Sequence, residues 1–313
     1  MVLTVCPNPS IDTYAWLETF ALGQTNRIGQ VKEYPGGKGI HVAMALKELD
    51  CPVSLMGNWA GPNGDWIKNS PKLRGIEIVG PQLSGNTRKC FTFRSDIDKK
   101  IDNTELLEPG PYMTAQDWEL FLSQFNVALN HCDLVCLSGS WPKGAPEDAY
   151  HQLLQLCEKA GKKAILDCSG SQLNNALKGK FFGLHINEDE AKAIFGTIDH
   201  SEINKILKNR VSLLALTKGK DGLFLYRDND YIHANVVLKE VKSTVGSGDC
   251  LTAGIAYAIF NELRLDQIAS YGVACGAANC MNEDLGILRR KDVDELLPLV
   301  KLTQNGHQAI SEH

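Results

Sequence analysis

The sequence predicts an α/β fold built on a mainly parallel sheet that helices cover on both faces. Short apolar runs alternate with longer helical patterns along most of the 313 residues, and strands that alternate with helices form βα units. These runs lack a polar face, which is typical of strands buried on both sides. We find no repeat, low-complexity tract or linker that would divide the chain.

The elements follow in chain order. Six apolar runs are predicted as strands: 2–6, 53–57, 134–138, 164–168, 183–186 and 213–217. Helical patterns lie between many of them, at 41–49, 115–130, 146–160, 188–195 and 202–208. A hairpin is predicted over 222–235 with its turn at 227–230, and the Ala- and Gly-rich segments 249–261 and 266–281 are predicted as closely packed helices.

Two polar, irregular segments, 11–34 and 86–107, interrupt this alternation and contain scattered β-forming residues. We expect them to build a small β-sheet lid, since mobile flaps often close catalytic sites. Ordinary surface hairpins explain the pattern equally well. The predicted organisation is therefore an α/β core from 1–10, 35–85 and 108–313, with a lid from 11–34 and 86–107.

Composition indicates a soluble globular protein, with 43% hydrophobic and 22% charged residues. The net charge of −5 provides no basic field, so we expect no nucleic-acid partner, while a small phosphorylated ligand remains compatible. No signal peptide and no membrane span are predicted, because the longest uncharged run, 267–282, is too polar and short. The ten cysteines contain no C-x-x-C pair. We expect reduced thiols in a cytoplasmic protein, without disulfides or structural zinc.

The most informative segment runs from Ser243 to Gly254. Gly246 and Gly248 flank a tight turn around Ser247, and Asp249 opens an apolar helix. Glycine amides at a helix N-terminus form an anion site, and a carboxylate beside it could act as a general base for a hydroxyl that attacks phosphorus. The commoner role of such a pattern is a glycine turn with Asp249 as N-cap.

A second glycine cluster contains Gly37, Lys38 and Gly39 before another helix. A lysine in a glycine turn can reach an anion, although neither a Walker A loop nor a G-x-G-x-x-G fingerprint is present. The alternative is a flexible connector. Asn8–Asp12 follows the first strand, at the end where open α/β sheets bind ligands.

Three further features are each weak evidence for a binding site. Asn187 and Glu190 could face a hydrated Mg²⁺ or simply begin a helix. The segment from Thr217 to Gly222 could bind phosphates or form a turn. Arg27 and Arg88 occur one in each lid segment and could hold a phosphate, although scattered surface arginines are the default.

Taken in order, these pieces resemble the ribokinase-like sugar kinase family of PfkB type, and within it the 1-phosphofructokinase and tagatose-6-phosphate kinase branch. The matching motifs span nearly the whole chain: NPSID at 8–12, GGKG at 36–39, TR at 87–88, EPGP at 108–111, SGS at 138–140, NEDEA at 187–191 and VGSGD at 245–249. The resemblance implies a three-layer α/β/α sandwich with a small β lid that is often shared in a homodimer. It also implies phosphoryl transfer from ATP, with Mg²⁺, to a hydroxyl of fructose 1-phosphate or tagatose 6-phosphate.

The resemblance also implies a role for each matching residue. Asp249 corresponds to the catalytic base, with Gly246, Ser247 and Gly248 as its anion hole. Around the sugar phosphate the matching positions are Asp12, Arg27, Gly37, Lys38, Arg88 and Ser140, and His41 stands at a further position of this group. Around ATP the matching positions are Asn187, Thr217, Gly219, Gly222 and Asn279, and we add His185, Lys218 and Lys220 as candidates in the same segments. Asn187 and Glu190 match the pair that organises Mg²⁺, largely through water.

Three positions depart from the family pattern. His41 replaces an asparagine that touches the sugar, His185 replaces a lysine near the nucleotide, and Lys218 stands where an uncharged residue is common. We hypothesise that Lys218 or Lys220 compensates by supplying charge to the ATP phosphates. Two alternatives stay open: a kinase of an unphosphorylated sugar or nucleoside, and a catalytically idle sensor of sugar phosphate or nucleotide.

Overall fold

The structure is a computed structural model that describes residues 1–228, 230–284, 286–304 and 307–308. Its main sheet has eleven strands, of which seven are parallel neighbours and four extend one edge in antiparallel order. The parallel strands are β1 (Val2–Cys6), β4 (Val53–Gly57), β6 (Glu77–Val79), β10 (Leu134–Ser138), β11 (Lys163–Asp167), β12 (Phe181–Asn187) and β13 (Val211–Thr217). The antiparallel strands are β14 (Leu223–Arg227), β15 (Asp230–Asn235), β16 (Lys301–Gln304) and β17 (His307–Gln308).

Chain order and spatial order differ in the parallel part of this sheet. The strands lie in the order β13-β12-β11-β10-β1-β4-β6, so β1 is central although it comes first. The carboxyl ends of these strands meet at one edge, where open α/β sheets bind ligands. This order brings residues far apart in sequence to one site.

Helices cover both faces of the main sheet. One layer contains α1 (Lys38–Glu48), α8 (Ser247–Phe260), α9 (Leu265–Cys280) and α10 (Arg290–Leu296). The other contains α3 (Ala115–Leu129), α4 (Ala149–Lys159), α5 (Gly170–Ala176), α6 (Glu188–Phe195) and α7 (His200–Leu207). Within β1, Val2 packs into the first layer and Leu3 into the second, because successive strand side chains alternate between faces. The predicted three-layer sandwich is confirmed.

A separate four-stranded sheet comes from the two segments that interrupt the αβ alternation. It has the order β3-β2-β8-β9 and contains β2 (Ser10–Trp16), β3 (Gln30–Gly36), β8 (Arg88–Arg94) and β9 (Thr104–Leu107). Helix α2 (Gly61–Lys68) and the short paired strands β5 (Trp59–Ala60) and β7 (Gln82–Leu83) lie between β4 and β8 in the chain. The role of this small sheet as a lid stays a prediction.

The pattern-based element bounds agree best where an element is a continuous apolar run. The strands predicted at 2–6, 53–57 and 134–138 and the helix at 188–195 have the observed bounds. Helices α2, α5 and α10, each of seven or eight residues with two buried residues, were not predicted. The predicted turn residue Asn229 lies outside the described residues. The sequence also predicts a frayed, functionally silent end over 304–313, and most of this segment lies outside the described residues as well.

Over the described ranges, the longest helices are too short or too polar to cross a bilayer.

Candidate active site

One cavity of about 960 Å³ lies where the main sheet meets the small sheet. Its lining includes residues at the carboxyl ends of three parallel strands, namely Asp167 of β11, Asn187 of β12 and Thr217 of β13. The small sheet contributes residues of β2, β8 and β9, and the first turn of α8 contributes a further part. The cavity therefore brings together residues of both sheets and of the N-terminal turns of α1, α6 and α8.

Asp249 lies in the first turn of α8 and lines this cavity together with Gly246, Ser247 and Gly248. Gly246 is the residue before the helix and has φ +83°, a conformation that favours glycine. The first amides of a helix lack intrahelical acceptors, and the helix dipole adds positive potential there. The Ser247 amide, however, donates to the Thr244 carbonyl oxygen at 3.2 Å, so in this structure it closes the turn rather than facing an anion.

His41 links two carboxylates across the site. Its Nδ1 lies 2.8 Å from Asp249 Oδ2, and its Nε2 lies 3.3 Å from Asp12 Oδ2. Burial disfavours the imidazolium, but the two carboxylates outweigh it and raise the pKa of His41 to about 10. The two carboxylates therefore favour the positively charged form of His41, which lies between Asp249 and Asp12.

Asp167 lines the cavity and was not among the residues that the sequence predicts for the site. It is almost fully buried, and its Oδ1 accepts from Lys38 Nζ at 2.6 Å while Oδ2 lies 3.0 Å from His185 Nδ1. Burial would raise the pKa of Asp167, but Lys38 and His185 hold it well below its usual range. The sequence contained one signal for Asp167, namely a carboxylate near the end of the apolar run 164–168. Side chains at the end of a parallel strand lie at the carboxyl edge of the sheet, where ligands bind.

Lys38 lines the cavity and is held by two carboxylates. Besides Asp167, its Nζ lies 3.6 Å from Glu190 Oε1. Burial works against the Lys38 charge, and the carboxylates of Asp167, Asp249 and Glu190 outweigh it and raise its pKa. The expected contact of Lys38 with the substrate's own phosphate stays a prediction.

The small sheet presents a polar face to the cavity. Asp12 accepts from Ser10 Oγ at 2.6 Å, and Arg88 donates to the carbonyl oxygens of Asn8 (3.1 Å) and Glu108 (3.4 Å). Across the described part of the chain, no carboxylate forms an ion pair with Arg88. Its charge is therefore not neutralised by the protein.

The part of the cavity that contains most of the residues expected around ATP has a polar surface and an apolar surface. Asn187, Thr217, Gly219, Lys220 and Gly222 line the polar part, where the Lys220 carbonyl oxygen accepts from Asn235 Nδ2 at 2.9 Å. The apolar part is lined by Val236, Val237, Leu238, Val241, Val273 and Ala277. Sequence reasoning did not assign this apolar surface; the run 236–238 after the hairpin was its only local signal.

Four of the predicted site residues do not line the cavity. Arg27 and Ser140 are exposed in loops after β2 and β10, respectively. The Lys218 ammonium lies over the Phe224 ring, 5.2 Å from its centroid, and so is engaged outside the lining. Asn279 is fully buried, and its Nδ2 donates to the Val245 carbonyl oxygen at 3.0 Å. It braces the loop before α8 instead of facing a nucleobase.

Asn187 and Glu190 satisfy each other at the start of α6. Asn187 Oδ1 accepts from the Glu190 amide at 2.9 Å, and Glu190 Oε2 accepts from the Asn187 amide at 3.0 Å. Glu190 Oε1 remains on the cavity side beside Lys38. Over the ranges that the structure describes, no three His, Cys, Asp or Glu side chains form a metal cage. A single carboxylate oxygen and an amide suit a hydrated Mg²⁺, which keeps several waters.

Comparison with known proteins identifies the family. Residues 8–288 match the model of the pfkB family carbohydrate kinases. The chain belongs to this family. It is 31% identical over 310 residues to the 1-phosphofructokinase of Bacillus subtilis (strain 168), covering 97% of this chain and 100% of that protein. The predicted family and the predicted ATP-dependent sugar kinase activity are both confirmed.

More distant solved structures share the fold of this carbohydrate kinase. Phosphofructokinase-2 from Escherichia coli in complex with potassium superposes with a TM-score of 0.85 at 19% identity, covering 95% of this chain and 98% of that one. A carbohydrate kinase from Agrobacterium tumefaciens superposes with a TM-score of 0.78 at 20% identity, covering 96% and 99% of the two chains. At these identities the likeness concerns architecture only.

Proposed function

We propose that this kinase transfers the γ-phosphoryl group of ATP to a hydroxyl of a ketohexose monophosphate, fructose 1-phosphate or tagatose 6-phosphate. Fructose 1-phosphate is the first candidate, because the Bacillus subtilis relative is a 1-phosphofructokinase. The product would be the corresponding bisphosphate.

The observation that carries this proposal is the unneutralised Arg88 on the wall that the small sheet gives to the cavity. Its guanidinium donates to backbone carbonyl oxygens and forms no ion pair within the described residues, so its charge is available to an anionic ligand. A guanidinium fork suits a phosphate, whereas an unphosphorylated sugar or nucleoside offers it no anion. This favours a substrate that already has one phosphate group.

Asp249 is proposed as the general base. It would accept the proton of the acceptor hydroxyl while that oxygen attacks the γ-phosphorus and ADP leaves with the electrons of the broken P–O bond. Asp12 would hold another sugar hydroxyl, and the Gly248 amide with the α8 dipole would stabilise the charge on the transferred group. Lys38, held between Asp167 and Glu190, would lie beside that group.

ATP would lie along the contrasting surfaces described above. The apolar residues 236–238 and 273 would contact the base, and the turn from Thr217 to Gly222 would face the phosphates. Mg²⁺, when bound, would neutralise phosphate charge, and Asn187 with Glu190 would hold it through its water ligands.

We also propose that two copies pair through the small sheet. Strand register puts Val31, Phe91 and Leu106 on the face opposite to Asp12 and Cys90, which line the cavity. Val31 and Leu106 are about half exposed on this outer face. Covering it would bury apolar surface that solvent now reaches.

A substrate panel tests the proposed reaction. ADP release would be measured with fructose 1-phosphate, tagatose 6-phosphate and fructose 6-phosphate, against ribose and adenosine. We expect the highest kcat/KM for a ketohexose monophosphate. Preference for ribose or adenosine would support the neutral-substrate alternative, and saturable ligand binding without ADP release would support the idle sensor.

A further inference from the structure

His41 occupies a position that joins the two carboxylates assigned to substrate hydroxyls. Its side chain is 5% exposed, with Nδ1 hydrogen-bonded to Asp249 Oδ2 and Nε2 3.3 Å from Asp12 Oδ2. Nε2 makes no hydrogen bond in this geometry, so its contact with Asp12 is electrostatic. A buried polar nitrogen therefore faces the substrate-binding carboxylate without a complete hydrogen bond.

The fold makes room for this ring by means of a glycine. A Cβ on Gly286 would lie 2.4 Å from the ring carbons of His41, far inside van der Waals contact. A Cβ on Gly246 would in turn lie 2.6 Å from Gly286 Cα. The loop before α8, the turn at Gly286 and the His41 ring are thus packed as one unit around Asp249.

Charge explains why an imidazole fits here. Both ring nitrogens face carboxylate oxygens. A ring protonated on both nitrogens presents an N–H to each carboxylate, whereas a neutral ring would direct a lone pair at one of them. Two carboxylates that share a site normally force one of them to take a proton. The groups that face His41 are Asp12 from β2 and Asp249 from α8, while the Lys38 charge acts on Asp249 from the same helix as His41.

We propose that His41 is a positioning residue that holds Asp12 and Asp249 apart as an imidazolium, keeps both carboxylates ionised and orients Asp249 as the base. This inference rests on the proposed function of Asp249. It assigns His41 a role that the asparagine of the family pattern, being neutral, cannot perform by charge.

The kinetic test compares the wild type with His41→Asn, the residue of the family pattern, and with His41→Gln. Loss of the cation favours the protonated form of the carboxylates. We therefore expect the acid limb of the kcat profile to move to higher pH by about one unit or more, the low end for a nearby opposite charge. The KM for ATP should stay unchanged, because His41 contacts none of the nucleotide-side residues. His131→Asn is the matched control, since His131 is exposed after α3.

A direct test follows the protonation of His41 by ¹⁵N NMR of the imidazole, with the signals assigned through the chain. The wild-type measurement depends neither on the substrate nor on a variant that folds. We expect imidazolium signals that persist until pH approaches about 10, compared with about 6.5 for a free histidine. In Asp249→Asn the midpoint should fall.

The two measurements separate the possible failures. If no sugar phosphate is a substrate but His41 stays protonated, the proposed function fails and the charge arrangement survives. If the kinase is active but His41 titrates near 6.5, or the His41→Asn pH profile overlays that of the wild type, the positioning role is wrong.

Discussion

At the residue scale, the site is a set of paired charges rather than a set of free side chains. Lys38 pairs with Asp167, and His41 pairs with Asp249 and Asp12. A paired, desolvated charge keeps its position, so these side chains are ordered before any ligand arrives. Arg88 and Lys220 are the cations on the cavity lining for which the described residues supply no carboxylate within ion-pair distance.

Replacement of the base is the first prediction at this scale. Asp249→Asn keeps the size of the side chain but cannot accept a proton at neutral pH. We expect kcat to fall by about 10²- to 10⁴-fold, the usual range for a general base, with both KM values nearly unchanged. Steady-state kinetics would measure this, with the exposed Asp65→Asn on α2 as control. Near-native turnover would show that another group takes the proton.

The second prediction compares the two lysines of the Thr217–Gly222 turn, each of which is the control for the other. Lys220 lines the cavity, whereas the Lys218 ammonium lies over Phe224. Lys220→Ala should raise the KM for ATP by about fivefold, equivalent to ~1 kcal/mol, and Lys218→Ala should leave it unchanged. Equal effects of the two variants would contradict this assignment. The sequence does not distinguish Lys218 from Lys220 as the residue that supplies charge to the ATP phosphates, because their spacing does not show where each side chain points.

At the scale of elements, the join between β2 and β3 determines where Asp12 lies. Ser10 pairs with Gly36 in the small sheet, and a Cβ on Gly36 would lie 2.0 Å from the Asp12 Cγ. The glycine therefore leaves the space that the carboxylate occupies. The two glycines of the PGGKG motif thus have different roles. Gly36 leaves room for Asp12, and Gly37 is the N-cap of α1.

We therefore expect Gly36→Ala to displace Asp12. Since a misplacement of about 1 Å can cost about 100-fold, kcat/KM for the sugar phosphate should fall about 10- to 100-fold while ATP binding is retained. Gly29→Ala is the matched control, because its added Cβ would have only an ordinary contact at 3.8 Å. Similar kinetics for the two variants would mean that the clash is relieved without moving Asp12.

At the scale of the whole molecule, the small sheet has two different faces. One lines the cavity, and the other exposes Val31 and Leu106 beside the cluster of Ala15, Leu17, Phe93 and Ile101. A lid that covers an active site and also pairs with a second copy would couple assembly to closure.

The paired assembly gives the last prediction. Wild-type protein should sediment as a dimer, and the double variant Val31→Glu with Leu106→Glu should sediment as a monomer, because it would bury two charges. Val127→Glu, at an exposed apolar position on α3, should remain dimeric. A wild-type protein that sediments as a monomer at micromolar concentration would exclude this interface.

The sequence by itself determined the α/β class, most of the elements and the family, because these depend on local patterns. Apolar runs predict buried strands wherever they lie in space, and glycine motifs such as GGKG and VGSGD are recognisable without neighbours. The catalytic assignment of Asp249 also came from such a motif.

Tertiary structure alone decided which charges meet. Asp12, His41, Asp167 and Asp249 come from four separate parts of the chain, and they converge because β1 lies between β10 and β4 and not at an edge. The same order left Arg27, Ser140 and Lys218 outside the cavity lining and turned Asn279 into a brace for the loop before α8. Which side chains meet depends on the order of the strands and on the space that single glycines leave. The residue spacing within one motif contains neither kind of information.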